Sequence, residues 1–92
     1  MPYFVATYRY TPDTALRDRV RPTHREWLSG LGDTLVLSGP TDAEGAFLVF
    51  EAEDAATVER TVAQDPFTTE GVIAESTVVG WTPVKGRLVG QL

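Results

Sequence analysis

The chain has no cysteine among its 92 residues. Disulfides, thiol nucleophiles and thiolate-held metals are therefore excluded. It has a single histidine, His24. Zinc and iron sites draw mainly on His and Cys, so no metal centre is expected. No P-loop, dinucleotide fingerprint or nucleophile elbow is present, and no cofactor is expected in their place. No apolar run approaches about 18 residues, so no membrane partner is expected. The opening stretch MPYFVATYRY lacks a charged leader region, from which a cytoplasmic protein is expected. Low-complexity tracts and internal repeats are missing too. Basic charge is scarce. Eight Lys and Arg stand against thirteen Asp and Glu, for a formal net charge of −5, which argues against a nucleic-acid partner.

Residues 1–92 make one domain. A chain of this size buries only about 60 % of its unfolded surface and has little stability to spare. Its scarce basic charge is concentrated. Arg9, Arg17, Arg19, Arg21 and Arg25 share residues 9–25 with only Asp13 and Asp18, a local excess of +3. Residues 26–75 carry eleven acids against Arg60, a local −10. The basic cluster surrounds His24. It suits attraction of a small anion, although a solvated helix end is the plainer reading.

YFVATYRY, 3–10, is rich in β-branched and aromatic residues and reads as a strand ending at Thr11-Pro12. Residues 13–19 allow a helical turn. Pro22 suits the first position of a helix, where its missing N–H is not needed. From there His24, Trp27, Leu28 and Leu31 fall at i, i+3, i+4 and i+7, one apolar stripe on a helix of about 22–31. TLVLSGP is a short strand stopped by Gly39-Pro40, TDAEG is turn chemistry, and AFLVFEA is its hairpin partner. EDAATVERTVAQ is a second helix, with Asp54 as N-cap and Ala56, Val58, Val62 and Ala63 as its apolar residues. DPFTTEG breaks the pattern, and VIAESTVVGWTP is the last strand. The tail after Pro83 shows no pattern.

The order β-α-β-β-α-β predicts an α+β, ferredoxin-like fold: a four-stranded antiparallel sheet with two helices on one face. FVA, LVL, FLVF and VV are apolar on both sides of the pleat. A sheet with one wet face should alternate. The face without helices is therefore expected to meet a second copy of the same sheet, giving a homodimer built as a dimeric α+β barrel.

His24 would open its helix, where the dipole disfavours imidazolium, and partial burial acts in the same direction. A neutral imidazole can accept a proton. The blander alternative is a histidine packed against the sheet and satisfied by one hydrogen bond. Asp65, in AQDPFTTEG, is the best candidate partner. The topology brings the start of the first helix and the approach to the last strand to one end of the sheet. Asp before Pro is also a common turn or helix cap, which is a sufficient structural explanation by itself. In LSGP, Ser38 is a possible ligand donor, and Gly39 permits a close backbone approach or a positive φ. An ordinary strand-ending turn would look the same.

RPTHREWL, LSGPTDAEGAFLVFEAED, AQDPFTTEGV and GWTP, in this order and spacing, resemble the YCII-related domain family over Tyr3 to about Pro83. The resemblance implies a ferredoxin-like dimeric barrel and a catalytic His–Asp dyad at His24 and Asp65, with Ser38, Gly39 and Pro40 lining the same region. One branch of that family is associated with a dehydrochlorinase acting on a chlorinated hydroxylated aromatic. The hairpin loop of this chain is short, and a more open pocket is expected. The expectation is a small cofactor-independent enzyme of lyase, isomerase or hydrolase type. His24 would be base and acid, Asp65 its orienter, and Arg21 or Arg25 the attractor of an anionic or phenolic small-molecule ligand. The alternative is a non-catalytic module that binds a metabolite in the same pocket.

Overall fold

A computed structural model describes residues 1–92. Tyr3–Tyr10 forms β1, and Thr14–Ser29 forms α1. Leu35–Thr41 and Gly45–Glu51 form the hairpin β2–β3, followed by α2 at Ala55–Ala63, a short α3 at Pro66–Thr69 and β4 at Ile73–Trp81. The strands lie in the order β2-β3-β1-β4, and every neighbouring pair is antiparallel. This is the expected ferredoxin-like α+β arrangement, with α3 added in the stretch that broke the sequence pattern.

The first helix begins eight residues earlier than the sequence suggests. Asp13 caps it by accepting the Leu16 N–H at 3.0 Å, and the helix then runs straight through Pro22. Pro22 is exposed, so the bond it withholds from the Asp18 carbonyl is lost on the wet side of the helix. Val20 and His24 are buried on the opposite side. His24 is therefore the eleventh residue of α1, not part of its first turn, and the expected influence of the helix N-terminus on its ring does not apply.

β2 continues through Gly39-Pro40 to Thr41, where the sequence suggested a stop. It is an edge strand with one side free of ladder bonds, the place where a sheet tolerates proline. Gly39 has no positive φ, and no atom lies within 4 Å of where its Cβ would be. The glycine that backbone approach requires is Gly45, where a Cβ would collide with the Tyr8 carbonyl oxygen. The turn between the strands closes at Glu44, which adopts φ 56°.

Phe4, Ala6 and Tyr8 of β1 and Ala46, Leu48 and Phe50 of β3 form the helix-side core, with Val58 and Val62 of α2 packed on them. Ala56 and Ala63, expected on that stripe, are exposed; Ala55 packs there instead. A second cluster joins Val20 of α1 to Phe67 of α3 and Val72. On the other face, register aligns Leu37, Val49, Val5 and Val79 in one row across all four strands. The edge members remain open, Leu37 at 52 % and Val79 at 55 % exposure, and Phe47 and Trp81 are also exposed. The tail ends in a short 3-10 turn, Val89–Gln91, beside Pro2, Tyr3 and Trp81.

Candidate active site

Asp65 ends the connection after α2 and caps α3, with Pro66 in the first helical position. Its side chain is fully buried. Oδ1 accepts the Phe67 N–H at 2.9 Å and lies 2.7 Å from His24 Nδ1, while Oδ2 accepts the Tyr8 hydroxyl at 2.7 Å. The capping role and the histidine-pairing role are thus filled by one carboxylate. An ionised carboxylate only accepts, so Nδ1 carries the proton in the neutral imidazole. Nε2 is then the free lone pair. Phe67 fixes the ring plane: it stacks on His24 with centroids 3.9 Å apart and planes 2° off parallel. Trp27 flanks it at 6.2 Å.

Tyr8 carried no sequence signal. It sits on β1, 57 residues from Asp65 in the chain, and only the sheet brings the two together. Burial, reinforced by the hydrogen bond to Asp65, pushes its phenol well above the ordinary value of 10.0. The hydroxyl therefore stays protonated and donates to Asp65 over the whole neutral range.

His24 forms part of the wall of a cavity of about 480 Å³ between α1 and the β2–β3 hairpin. That volume is ordinary for a small-molecule site. Arg21 and Arg25 line it on the α1 side, and Ser38 and Gly39 line it on the β2 side. Asp65 stands behind His24, away from the cavity. The sequence-derived residues thus converge on one place, with Gly39 leaving space there. Arg17 also lines the cavity and was not singled out from the sequence. Reading Pro22 as the helix start hid it. On the continuous α1, Arg17, Arg21, His24, Arg25 and Leu28 fall at i, i+4, i+7, i+8 and i+11, a single face. No three of His, Asp and Glu converge as a metal-binding group. No helix is long and apolar enough to cross a membrane.

Residues 1–82 match the YCII-related domain family. The chain belongs to that family. Among solved structures, this YCII-related domain is similar to the 5-chloro-2-hydroxyhydroquinone dehydrochlorinase TftG from Burkholderia phenoliruptrix AC1100, determined in complex with 2,5-dihydroxybenzoquinone. The two share 29 % identity with a TM-score of 0.75, over 87 % of this chain and 93 % of TftG. An antibiotic biosynthesis monooxygenase matches at 22 % identity and TM-score 0.58, over 92 % of this chain and 100 % of that one. Protein Atu4242 from Agrobacterium tumefaciens matches at 16 % identity and TM-score 0.58, over 92 % and 95 %. These last two likenesses concern the fold alone. No curated protein sequence matches this chain.

Proposed function

We propose that the protein is a small acid–base enzyme acting on an anionic or phenolic metabolite, in an elimination, isomerisation or hydrolysis that needs no resident cofactor. One observation carries this reading: Asp65 occupies Nδ1 of a recessed imidazole, which leaves Nε2 as the ring nitrogen available to the cavity. His24 takes a proton from the bound molecule through Nε2. Asp65 holds the tautomer and stabilises the imidazolium that forms. His24 then returns the proton to an oxygen leaving group or a second carbon, or passes it to solvent where chloride departs as the anion. In a hydrolysis the proton it takes is that of the attacking water. Arg21 and Arg25 attract the anion, and Ser38 offers a hydroxyl from the opposite wall. The likeness to TftG, which acts on a chlorinated hydroxylated ring, supports the substrate class and the elimination variant.

The same reading includes a homodimer through the open face of the sheet. The cross-strand row Leu37–Val49–Val5–Val79 is buried at its centre and exposed at Leu37 and Val79, and with Phe47 and Trp81 these edge residues leave open apolar side chains on the face without helices. A second copy offers the matching surface and adds core to a chain of modest size.

The test is proton exchange. Small hydroxylated aromatic and enol acids, including the TftG substrate, are incubated in D2O with the protein and followed by NMR and chloride release. His24→Asn places an amide nitrogen near the Nδ1 position and removes Nε2. Exchange or elimination that falls by about 10²-fold or more in His24→Asn is expected for a general base. Tight binding of these compounds with no exchange and no elimination would favour the binding-module alternative.

A further inference from the structure

We propose that Arg17 is the ligand anchor of the cavity, and that the ligand it selects is a carboxylic acid of about one ring's length. The inference deepens the acid–base reading by assigning the group that holds the ligand while His24 acts on it.

The wall charges first distinguish the cavity from the rest of the molecule. Arg17, Arg21 and Arg25 face Glu44 there, three positive groups to one negative, in a chain of net charge −5. Such a local excess concentrates anions. The three arginines are not equivalent, however. Arg25 is exposed, and Arg21 is half-exposed with its Nη1 2.6 Å from Asp18. The Arg17 side chain is only 12 % exposed, while its partner Glu44 is 73 % exposed. The carboxylate of Glu44 is therefore mostly solvated and neutralises the recessed guanidinium weakly.

Arg17 is also held in place before any ligand arrives. Its Nη1 donates to Glu44 at 3.1 Å, and its guanidinium lies over the Tyr10 ring at 4.7 Å. The Tyr10 N–H in turn donates to the Glu44 carbonyl at 2.8 Å, tying the hairpin turn to the end of β1. Glu44 keeps the left-handed φ of 56° in that arrangement. A non-glycine residue in that region stores strain, which the surroundings must hold.

What remains of the guanidinium is the edge formed by Nε and Nη2. Nε is buried and has no hydrogen-bond partner. A buried N–H without an acceptor is unfavourable and calls for an explanation. The Nε–Nη2 edge carries two parallel N–H groups, and a planar carboxylate matches it with two hydrogen bonds. A ligand carboxylate engages that edge by drawing the guanidinium off the exposed Glu44 carboxylate, which holds it weakly.

The spacing sets the ligand's length. Arg17 and His24 are seven residues apart on one helix, about 10 Å along the axis. Both residues line the same cavity, so a ligand that reaches both has to bridge a span of that order. A carboxylate on Arg17 and an acidic O–H or C–H at His24 Nε2 then fit the two ends of a single ring. Phe67, stacked on His24 and edge-on to the Tyr10 ring beneath Arg17, supplies apolar contact between them.

The probes are para-hydroxybenzoate and phenol, which differ only in the carboxylate, and inorganic phosphate. Binding is measured by calorimetry and by shifts of the lone imidazole in NMR. The wild-type protein should bind para-hydroxybenzoate at least tenfold more tightly than phenol and more tightly than phosphate. Arg17→Lys keeps the charge but removes the fork, and should abolish that preference with its thermal melt retained. Arg19→Lys, at an exposed arginine outside the cavity lining, should preserve it. Equal affinity for the two aromatic probes, stronger binding of phosphate, or an unchanged preference in Arg17→Lys overturns the proposal. Absence of binding by either aromatic probe at millimolar concentration overturns it too. None of these readouts depends on turnover, so a failed exchange assay and a failed anchor are separate results.

Discussion

His24 Nδ1 and Asp65 Oδ1 lie 2.7 Å apart, and the same oxygen accepts the Phe67 N–H at 2.9 Å. The carboxylate is thus fixed by the backbone of α3 before it engages the ring. Replacing it by an amide, Asp65→Asn, removes the counter-charge of the imidazolium and keeps the side-chain shape. Proton exchange or elimination catalysed by the protein should fall by about tenfold or more, because the imidazolium formed in turnover loses its counter-charge. Because the chain has one histidine, a single set of ring resonances reports whether the imidazole keeps its place in the variant. Unchanged turnover in Asp65→Asn would show that the pair is packing and not electrostatics.

Tyr8 should control stability at alkaline pH. Its phenol is raised in the folded state by burial and by Asp65, against an ordinary value of 10.0 in the unfolded chain. Below about pH 10 both states hold the proton, and the contribution is fully present. Above it the unfolded chain ionises first, so stability declines as pH rises. Tyr8→Phe should flatten that decline. At neutral pH it should cost about 1.5–3 kcal/mol, because Asp65 Oδ2 loses a donor while buried. Chemical denaturation at pH 7 and at pH 10.5 or above checks both signs. A Tyr8→Phe variant as stable as wild type at pH 7 would refute the role of this hydrogen bond.

The two glycines of the hairpin should behave oppositely. Gly45→Ala drives a methyl group into the Tyr8 carbonyl, where β1 and β3 meet at Arg9 and Gly45. It should destabilise by several kcal/mol or prevent folding, since backbone rather than a side chain must yield. Gly39→Ala meets nothing within 4 Å and should melt within a degree or two of wild type. A ligand-binding loss in Gly39→Ala without a stability loss would mark that wall as part of the binding surface. Equal melting temperatures for the two variants would contradict the close approach at Gly45.

The open sheet face makes a prediction about association. Stable interfaces bury about 1,200–2,000 Å² in total, and the exposed Leu37, Phe47, Val79 and Trp81 lie on the face opposite the helices. The wild-type chain should sediment as a dimer at micromolar concentration. Val79→Asp, on an edge strand and already exposed, should sediment as a monomer with its circular dichroism unchanged. A wild-type chain of monomer mass would remove the argument from sheet burial.

Local chemistry in the sequence determined much of the frame. Runs rich in β-branched and aromatic residues set the strands, and Asp54 marked the start of α2. It accepts from the Thr57 N–H at 2.8 Å. Runs apolar on both sides of the pleat announced a sheet with two apolar faces. His24 and Asp65 stood out because the motifs around them resemble those of the YCII-related family. The start of α1 was not legible, because a proline in the first turn and a proline in the helix interior look the same locally. An interior proline is unfavourable by about 3 kcal/mol. Burial of Val20 and His24 against Phe67 and Val72, contacts more than forty residues apart, outweighs it. From that one decision follow the single face that carries Arg17, Arg21, His24 and Arg25, and the recruitment of Arg17. The Tyr8 hydrogen bond to Asp65 was equally out of reach, since it exists only where β1 passes beneath α3. Sequence periodicity reports which residues are apolar along one element. Which partner meets a buried carboxylate is decided by packing between elements.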